Sequence, residues 1–354
     1  MKFMMAGGGT GGHIIPALAV AEELRSRGHE AVFIGTRQGM EARLVPASGF
    51  PIEWIEIGGL NRVGLWKRLR SLWQLPLSIL RVLGLMRQHQ PGAIFSMGGY
   101  VAGPVVLAGL LSRVPIVVME PNAIPGMTNR KLARFTARAL VNFEETTRYF
   151  PEGSAEVTGV PVRREFFGIA PKGAEERFTL LVTGGSQGSR TLNVAASAAW
   201  ALFADAGVPI RILHQAGRNN AGPLQETFAR TRLAGEVVDF IQDMPGAFAQ
   251  ADLVVCRSGA STVSELAAAG KPSILVPFPF AADDHQKHNA EAMRNKGAAL
   301  LIPDDEMTGR RLFDEVTRLM MHRSTLETMG NSARWMAKPH AAQKAADVLL
   351  ELVR

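Results

Sequence analysis

The sequence predicts an α/β protein of two similarly built halves, each a parallel sheet with helices on both faces. Three observations predict it. The chain has 354 residues, about two ordinary domains' worth. A strand–glycine turn–helix unit opens the chain and recurs near its middle. Short β-branched runs then alternate with helical patterns, which is how parallel sheets covered on both faces are written.

The first unit reads as a buried strand, Lys2 to Ala6, then Gly7-Gly8-Gly9-Thr10-Gly11-Gly12 and a helix. Ile14, Ala17, Leu18, Ala21 and Leu24 mark its apolar face, Gly28 its end, and Pro16 is expected in its first turn. The echo is a strand from Phe178 to Thr183, the turn Gly184-Gly185-Ser186-Gln187-Gly188, and a helix from about Arg190 to Ala206. Further strands are expected at 31–34, 52–57, 93–96, 116–119 and 139–142, then at 210–214, 237–240, 253–256 and 273–276. Pro151 to Lys172, rich in Pro and Gly, reads as the linker, and an amphipathic helix follows Pro339. Ligands of such sheets bind beyond the carboxyl ends of the strands, where both glycine turns fall.

Composition narrows the function. At 47% hydrophobic residues the chain can fill two cores, and its lone Cys256 excludes a disulfide framework and suits a reducing compartment. The opening MKFMMAGGG lacks the apolar stretch of a signal peptide. The longest apolar run, Val101 to Met119, is interrupted by Gly, Pro and Arg113, so a soluble or peripheral protein is expected. A net charge of +7 points to an anionic partner: nucleic acid, anionic lipid or a phosphorylated substrate.

Gly7, Gly9 and Gly12 satisfy the dinucleotide fingerprint, which lets backbone approach a diphosphate at a helix start. A nicotinamide enzyme wants an acid at the end of the next strand; Gly35-Thr36-Arg37 stands there, and Arg37 would suit a 2′-phosphate. His13, at the positive start of a helix, suits a neutral general base and equally a packing role. In the run Cys256 to Glu265, small and hydroxyl residues between a strand and a helix can cradle an anion, with Arg257 alongside and Glu265 accepting ribose hydroxyls. Thr262-x-x-Glu265 is also a capping box, a purely structural use of the same carboxylate. Asp283, Asp284 and His285 lack further ligands to complete a metal site, and no Asp-x-Asp pair occurs, so amides, helix dipoles and Arg are expected to stabilise a leaving diphosphate. Between Arg62 and Arg87, Trp66 and Trp73 accompany Lys67, Arg68, Arg70, Arg81 and Arg87, the make-up of a helix lying on an anionic membrane or of one packed on the sheet.

Taken in order, Gly8 to His13, Met97-Gly98-Gly99-Tyr100, Glu120-Pro121-Asn122, Pro161-Val162-Arg163, Gly184 to Gly188, Cys256 to Glu265 and Asp284-His285-Gln286 resemble one family over nearly the whole chain. It is the family of UDP-N-acetylglucosamine transferases of bacterial peptidoglycan synthesis, in glycosyltransferase family 28. Pro121, where some relatives have Gln, and Ser261 depart from its pattern. The resemblance implies a GT-B fold, two Rossmann-like domains with parallel sheets facing each other across a cleft. Residues 1–160 would be the acceptor and membrane-associated domain, 161–336 the donor domain, and 337–354 a helix returning to the first. The implied reaction moves N-acetylglucosamine from UDP-N-acetylglucosamine, with inversion, to the C4 hydroxyl of undecaprenyl-pyrophosphoryl-MurNAc-pentapeptide (lipid I), giving lipid II at the cytoplasmic membrane face.

The family pattern places Arg163, Ser186, Ile241, Ala260, Ser261, Thr262, Val263, Ser264, Glu265 and Gln286 around the donor, with the Ile241 backbone at the uracil edge. Thr10, Gly11, Gly12 and Asn122 reach the donor from the first domain, and Gly98, Gly99 and Tyr100 hold the acceptor. His13 is the first candidate base and Glu120 the second. No cofactor or metal is implied for donor binding, and a divalent ion would act only as a stimulant of turnover. Besides both substrates, the implied partners are an anionic membrane surface and other cell-wall synthesis proteins, not nucleic acid. A UDP-N-acetylglucosamine 2-epimerase, a glycolipid transferase, an NADP-linked dehydrogenase and a non-catalytic nucleotide sensor are the competing readings.

Overall fold

The computed structural model describes residues 1–9, 11–58, 65–173 and 177–353, with backbone alone for 65–73. It divides into two compact units, Met1–Val162 with His340–Arg354, and Arg163–Pro339.

In the first unit seven parallel strands, β1 (Lys2–Ala6), β2 (Glu30–Gly35), β3 (Ile52–Trp54), β4 (Ala93–Ser96), β5 (Ile116–Glu120), β6 (Arg138–Val141) and β7 (Ala155–Val157), lie in the order 3-2-1-4-5-6-7. Helices α1 (Gly11–Ser26), α2 (Glu41–Ala47), α3 (Leu65–His89), α4 (Gly99–Leu111) and α5 (Met127–Leu132) connect them. Strand alternation builds the two cores. Phe3 and Met5 join the apolar cluster on one face, Met4 and Ala6 the cluster on the other. Each such Phe or Met side chain, fully buried, contributes about 1.5–3 kcal/mol. Pro16 lies in the second turn of α1 rather than the first, where it removes the bond that would have closed on the Gly12 carbonyl.

The second unit repeats the plan with six parallel strands: β8 (Phe178–Thr183), β9 (Ile210–Gln215), β10 (Ala234–Val238), β11 (Leu253–Cys256), β12 (Ser273–Leu275) and β13 (Ala299–Leu301). Their spatial order, 10-9-8-11-12-13, is that of the first sheet without its last strand. The helices are α6 (Arg164–Phe167), α7 (Arg190–Asp205), α8 (Ala221–Thr231), α9 (Met244–Gln250), α10 (Ala260–Ala269), α11 (His285–Asn295), α12 (Gly309–Met321) and α13 (Arg323–Trp335). Trp200 and Phe203 of α7, both at most 1% exposed, anchor its core. The closing helix α14 (Ala341–Glu351) packs on α1 in the first unit, burying Ala345, Ala346 and Leu349 against that core.

Three further expectations are corrected. Pro151 to Lys172 is not a plain linker, since it contains the edge strand β7 and the helix α6. The strand expected at 237–240 is Ala234–Val238, an edge strand whose Gly235 (φ 128°) lies against the Ile212 backbone. β13 was not foreseen, because three residues at a sheet edge carry too short a pattern.

Register decides what meets at the strand ends. Ala6 pairs with Ile34 and with Ser96, so the glycine loop, the turn after β2 and the Met97-Gly98-Gly99 turn emerge side by side. Thr183 likewise pairs with Gln215 and Cys256, bringing together Gly184, Ala216 and Arg257. Both places are the points where strand order reverses, the usual ligand position in such sheets.

Candidate active site

In the first unit the glycine loop runs into α1, with His13 its third residue. The ring Nδ1 lies 3.2 Å from the Gly8 carbonyl oxygen. A carbonyl only accepts, so Nδ1 carries a proton, and in the neutral ring the lone pair is then on Nε2. Gly98 and Gly99 both take left-handed conformations (φ 77° and 79°), open to glycine at little cost. A Cβ on Gly99 would sit 3.4 Å from the His13 ring, and one on Gly98 3.0 Å from Asn129. Tyr100 covers Gly9, and its hydroxyl lies 3.3 Å from Thr36 Oγ1. His13, Gly11, Gly12, Gly98, Gly99 and Tyr100 therefore gather at one end of the sheet. Thr10 lies outside the described residues, as do the side chains of Trp66, Lys67, Arg68, Arg70 and Trp73 and the whole of Arg62.

Glu120, the second candidate base, is placed otherwise. Its carboxylate is 2% exposed and accepts four bonds: from the Asn122 backbone (3.0 Å), Asn122 Nδ2 (3.0 Å), the Gly126 backbone (3.0 Å) and Asn129 Nδ2 (2.9 Å). Burial raises its pKa, and those donors pull back against it. Both oxygens are spent on shaping the 122–129 turn, so Glu120 positions Asn122 and Asn129 instead of facing an acceptor hydroxyl. Asn122, half-buried beside it, is oriented by that bond.

Two carboxamide and carboxylate anchors gave no signal in the sequence. Glu41 is fully buried beneath the glycine loop and accepts from the Gly9 amide at 2.8 Å. In the second unit Gln215, 1% exposed, accepts from the Ile241 amide at 2.9 Å and donates to Thr183 Oγ1 at 3.1 Å, which in turn accepts from the Gly185 amide. The Ile241 N–H is thereby engaged within the protein. In the sequence Gln215, at the end of a strand, and Glu41, at the start of a short helix, are indistinguishable from ordinary surface positions.

The second unit's centre is the start of α10. Gly259 is its N-cap and brings no side chain, and Val263 is the first residue whose amide bonds within the helix, to the Gly259 carbonyl. The amides of Ala260, Ser261 and Thr262 thus have no partner within the helix and form its positive end. Val263 (1% exposed) packs in the core, and Ser264 Oγ bonds back to the Ala260 carbonyl at 2.9 Å, so neither side chain faces this end as expected. The capping box is also absent, because the helix begins two residues before Thr262 and leaves Glu265 a full turn inside it. Glu265 instead meets Arg163 at 3.6 Å. Burial pushes the Glu265 carboxyl up to about 7, with the Arg163 charge drawing it back.

Arg257 does not project toward the helix start. Its guanidinium donates to the Val276 and Pro277 carbonyls, each at 3.0 Å, and pairs with Asp304. It ties the ends of β11 and β12 together, whereas the Arg163 side chain is 43% exposed. Gln286 uses its carbonyl oxygen to accept from the Phe278 amide at 3.0 Å, which fixes its amide nitrogen's direction. Ser186 is exposed on the glycine turn. That turn is held by close backbone contact, since a Cβ on Gly188 (φ 77°) would lie 2.1 Å from the Ala216 carbonyl oxygen.

Comparison with known proteins agrees with both halves. The glycosyltransferase family 28 N-terminal domain matches residues 3–141 and the family 28 C-terminal domain residues 179–349. A Solibacter usitatus protein is 59% identical over 353 residues, spanning 100% of this chain and 96% of its own. It is named UDP-N-acetylglucosamine–N-acetylmuramyl-(pentapeptide) pyrophosphoryl-undecaprenol N-acetylglucosamine transferase. A Myxococcus xanthus protein of the same name is 40% identical, spanning 100% of this chain and 93% of its own. The crystal structure of Acinetobacter baumannii MurG matches with a TM-score of 0.84 and 35% identity over 99% of both chains. On these matches the chain belongs to glycosyltransferase family 28.

Proposed function

We propose that this enzyme transfers N-acetylglucosamine from UDP-N-acetylglucosamine to the C4 hydroxyl of the muramoyl sugar of lipid I, forming lipid II. The observation that carries it is the α10 start. Three amides without helical partners stand beside Arg163 and Glu265, a receptor for a diphosphate that carries a ribose. His13, with its lone pair on Nε2, supplies the base that a sugar hydroxyl needs, while Gly98, Gly99 and Tyr100 line the same strand ends for the acceptor. Attack by the deprotonated C4 oxygen on the anomeric carbon expels UDP from the opposite face, and the helix end and Arg163 take up the charge on the leaving diphosphate. Residues Ser186, Ile241, Ala260, Ser261, Thr262 and Gln286 complete the donor contacts in this reading, with Val263 and Ser264 acting only through the helix they belong to.

The dehydrogenase reading is disfavoured by the first glycine loop. Its Gly9 amide is spent on Glu41, and Arg37 lies over the Trp54 ring at 5.1 Å. The deciding assay is turnover of UDP-N-acetylglucosamine with a lipid-pyrophosphate acceptor. Formation of N-acetylmannosamine or free sugar without a disaccharide product would select the epimerase or overturn the transferase.

Donor binding is proposed to need no metal, since α10 and Arg163 already bring positive charge to the diphosphate. Isothermal titration with UDP should give the same affinity with and without EDTA, and loss of binding on chelation would refute this. A divalent ion would still stimulate turnover by screening the lipid diphosphate.

The enzyme is also proposed to work on the cytoplasmic face of the cell membrane. Among the described residues no helix is long and apolar enough to cross a membrane. Support for surface binding comes from α3, where Leu77 and Leu80 are 69% and 64% exposed on a helix carrying Trp and basic residues. A cavity of about 710 Å³ in the same unit, lined by Arg130, Lys131, Arg134 and Tyr149, adds basic surface. Replacing Trp66, Lys67, Arg68 and Trp73 together should weaken binding to anionic vesicles, by about 1 kcal/mol per basic residue at low salt, and spare turnover of a short-chain acceptor. Co-sedimentation unchanged by the replacement would return the segment to an ordinary packing helix.

A further inference from the structure

We propose that Glu41 is a positioning residue for His13, acting through the single peptide group between Gly8 and Gly9. This rests on the reading of His13 as the base. The Gly9 amide donates to Glu41 Oε2 at 2.8 Å, and the carbonyl of the same peptide, that of Gly8, lies 3.2 Å from His13 Nδ1. A trans peptide is planar, with its N–H and C=O pointing in opposite directions, so fixing one end fixes the other. Carboxylate, peptide and imidazole therefore form one chain of hydrogen bonds. Its negative end polarises the peptide and strengthens the Gly8 oxygen as the acceptor for Nδ1–H. The result is the orienting role that a carboxylate plays beside a working histidine, with a peptide group inserted between the two.

The surroundings are built to hold Glu41 there. It is fully buried, and its Oε1 accepts from the Thr36 amide at 3.0 Å and from Thr36 Oγ1 at 2.8 Å. Glycines line its cage. A Cβ would lie 2.8 Å from its Oε1 on Gly8, 2.6 Å from its Cγ on Gly35 and 2.0 Å from its Oε2 on Gly39. Thr36 extends the network to the Tyr100 hydroxyl. A carboxylate that only stabilised the turn would need no link to the histidine; here the loop peptide it grips is the one the histidine uses.

The test is Glu41→Gln, in which the amide nitrogen can face the Gly9 N–H and break the chain with little change of shape. ¹⁵N NMR of the His13 ring should show the Nδ1–H form dominant in the parent and a mixture of tautomers in the variant. Turnover should fall about 10–100-fold, the range seen when a ligating histidine loses its outer partner, with the Kd for UDP unchanged. An unaltered His13 tautomer in a folded variant overturns the proposal. A shifted tautomer with unchanged kcat upholds the coupling and instead removes His13 as the base. Should Glu41→Gln not fold, the reverse direction serves. His13→Phe must then move the Gly9 amide resonance of the otherwise wild-type protein, and a Gly9 signal that stays in place overturns the coupling.

Discussion

Replacing His13 with alanine should cut kcat by about 10²–10⁴-fold, the range a positioned general base contributes, with donor affinity little altered. The ring stands at the start of α1 with Nδ1 facing the Gly8 carbonyl, so the nitrogen left to take a proton is Nε2. Its loss should also remove the acidic limb of the pH–rate profile, because that limb reports the base being protonated as pH falls. Glu120→Ala is the paired measurement. Four donors converge on that buried carboxylate, and removing it leaves each without an acceptor, at about 1–3 kcal/mol apiece. Its expected signature is a lower Tm together with reduced turnover, the acidic limb retained. If Glu120→Ala erased the limb with Tm unchanged, and His13→Ala only raised the acceptor KM, the roles would be reversed.

Glu265→Ala should raise the donor KM more than it lowers kcat, by about 1.5–3 kcal/mol of lost hydrogen bonding to the ribose hydroxyls, where one partner is charged. The position of Gly259 as N-cap separates this from helix capping, so the variant should melt no lower than the parent. The pH dependence follows from a carboxyl pushed up to about 7 by burial. In the proposed donor complex it is the ionised form that would accept both hydroxyls, so the parent's donor KM should climb as pH drops below about 7 and that climb should be missing in Glu265→Gln. Stability runs the other way. A folded pKa above the ordinary 4.5 means that ionisation is harder in the fold. The group's contribution is therefore intact below 4.5 and is lost as pH rises to about 7. Glu265→Gln should accordingly melt higher than the parent at pH 8, and a lower Tm there would show that the Arg163 pair outweighs burial.

The architecture was legible because it is written in local pattern. A strand, a glycine turn and a helix, given twice and followed by β-branched runs, specify two doubly wound sheets, and both sheets adopt the same strand order. His13 and Glu265 were likewise visible in the glycine loop and in the Cys256–Glu265 run, while Gly98, Gly99 and Arg163 stood out only through the family resemblance. Their roles were not, since a role depends on which neighbours have already taken a group's hydrogen bonds. Glu120 looked like a free carboxylate until the 122–129 turn closed over it, and Arg257 looked like an anion ligand until Asp304 claimed it. Thr262 and Glu265 spelled a capping box whose frame was wrong by three residues, because Gly259, which brings no side chain, is the N-cap. Glu41 carried no signal at all. Its contact with Gly9 joins residues 32 apart in sequence and requires Gly8 of the glycine loop and Gly35 and Gly39 at the end of β2 and in the turn after it to vacate the same space. Sequence by itself determined the fold and the chemical inventory at the strand ends. Which carboxylates stay available for substrate and which are consumed by backbone amides was decided by tertiary structure, since buried donors must find acceptors and only the folded register says which ones are near.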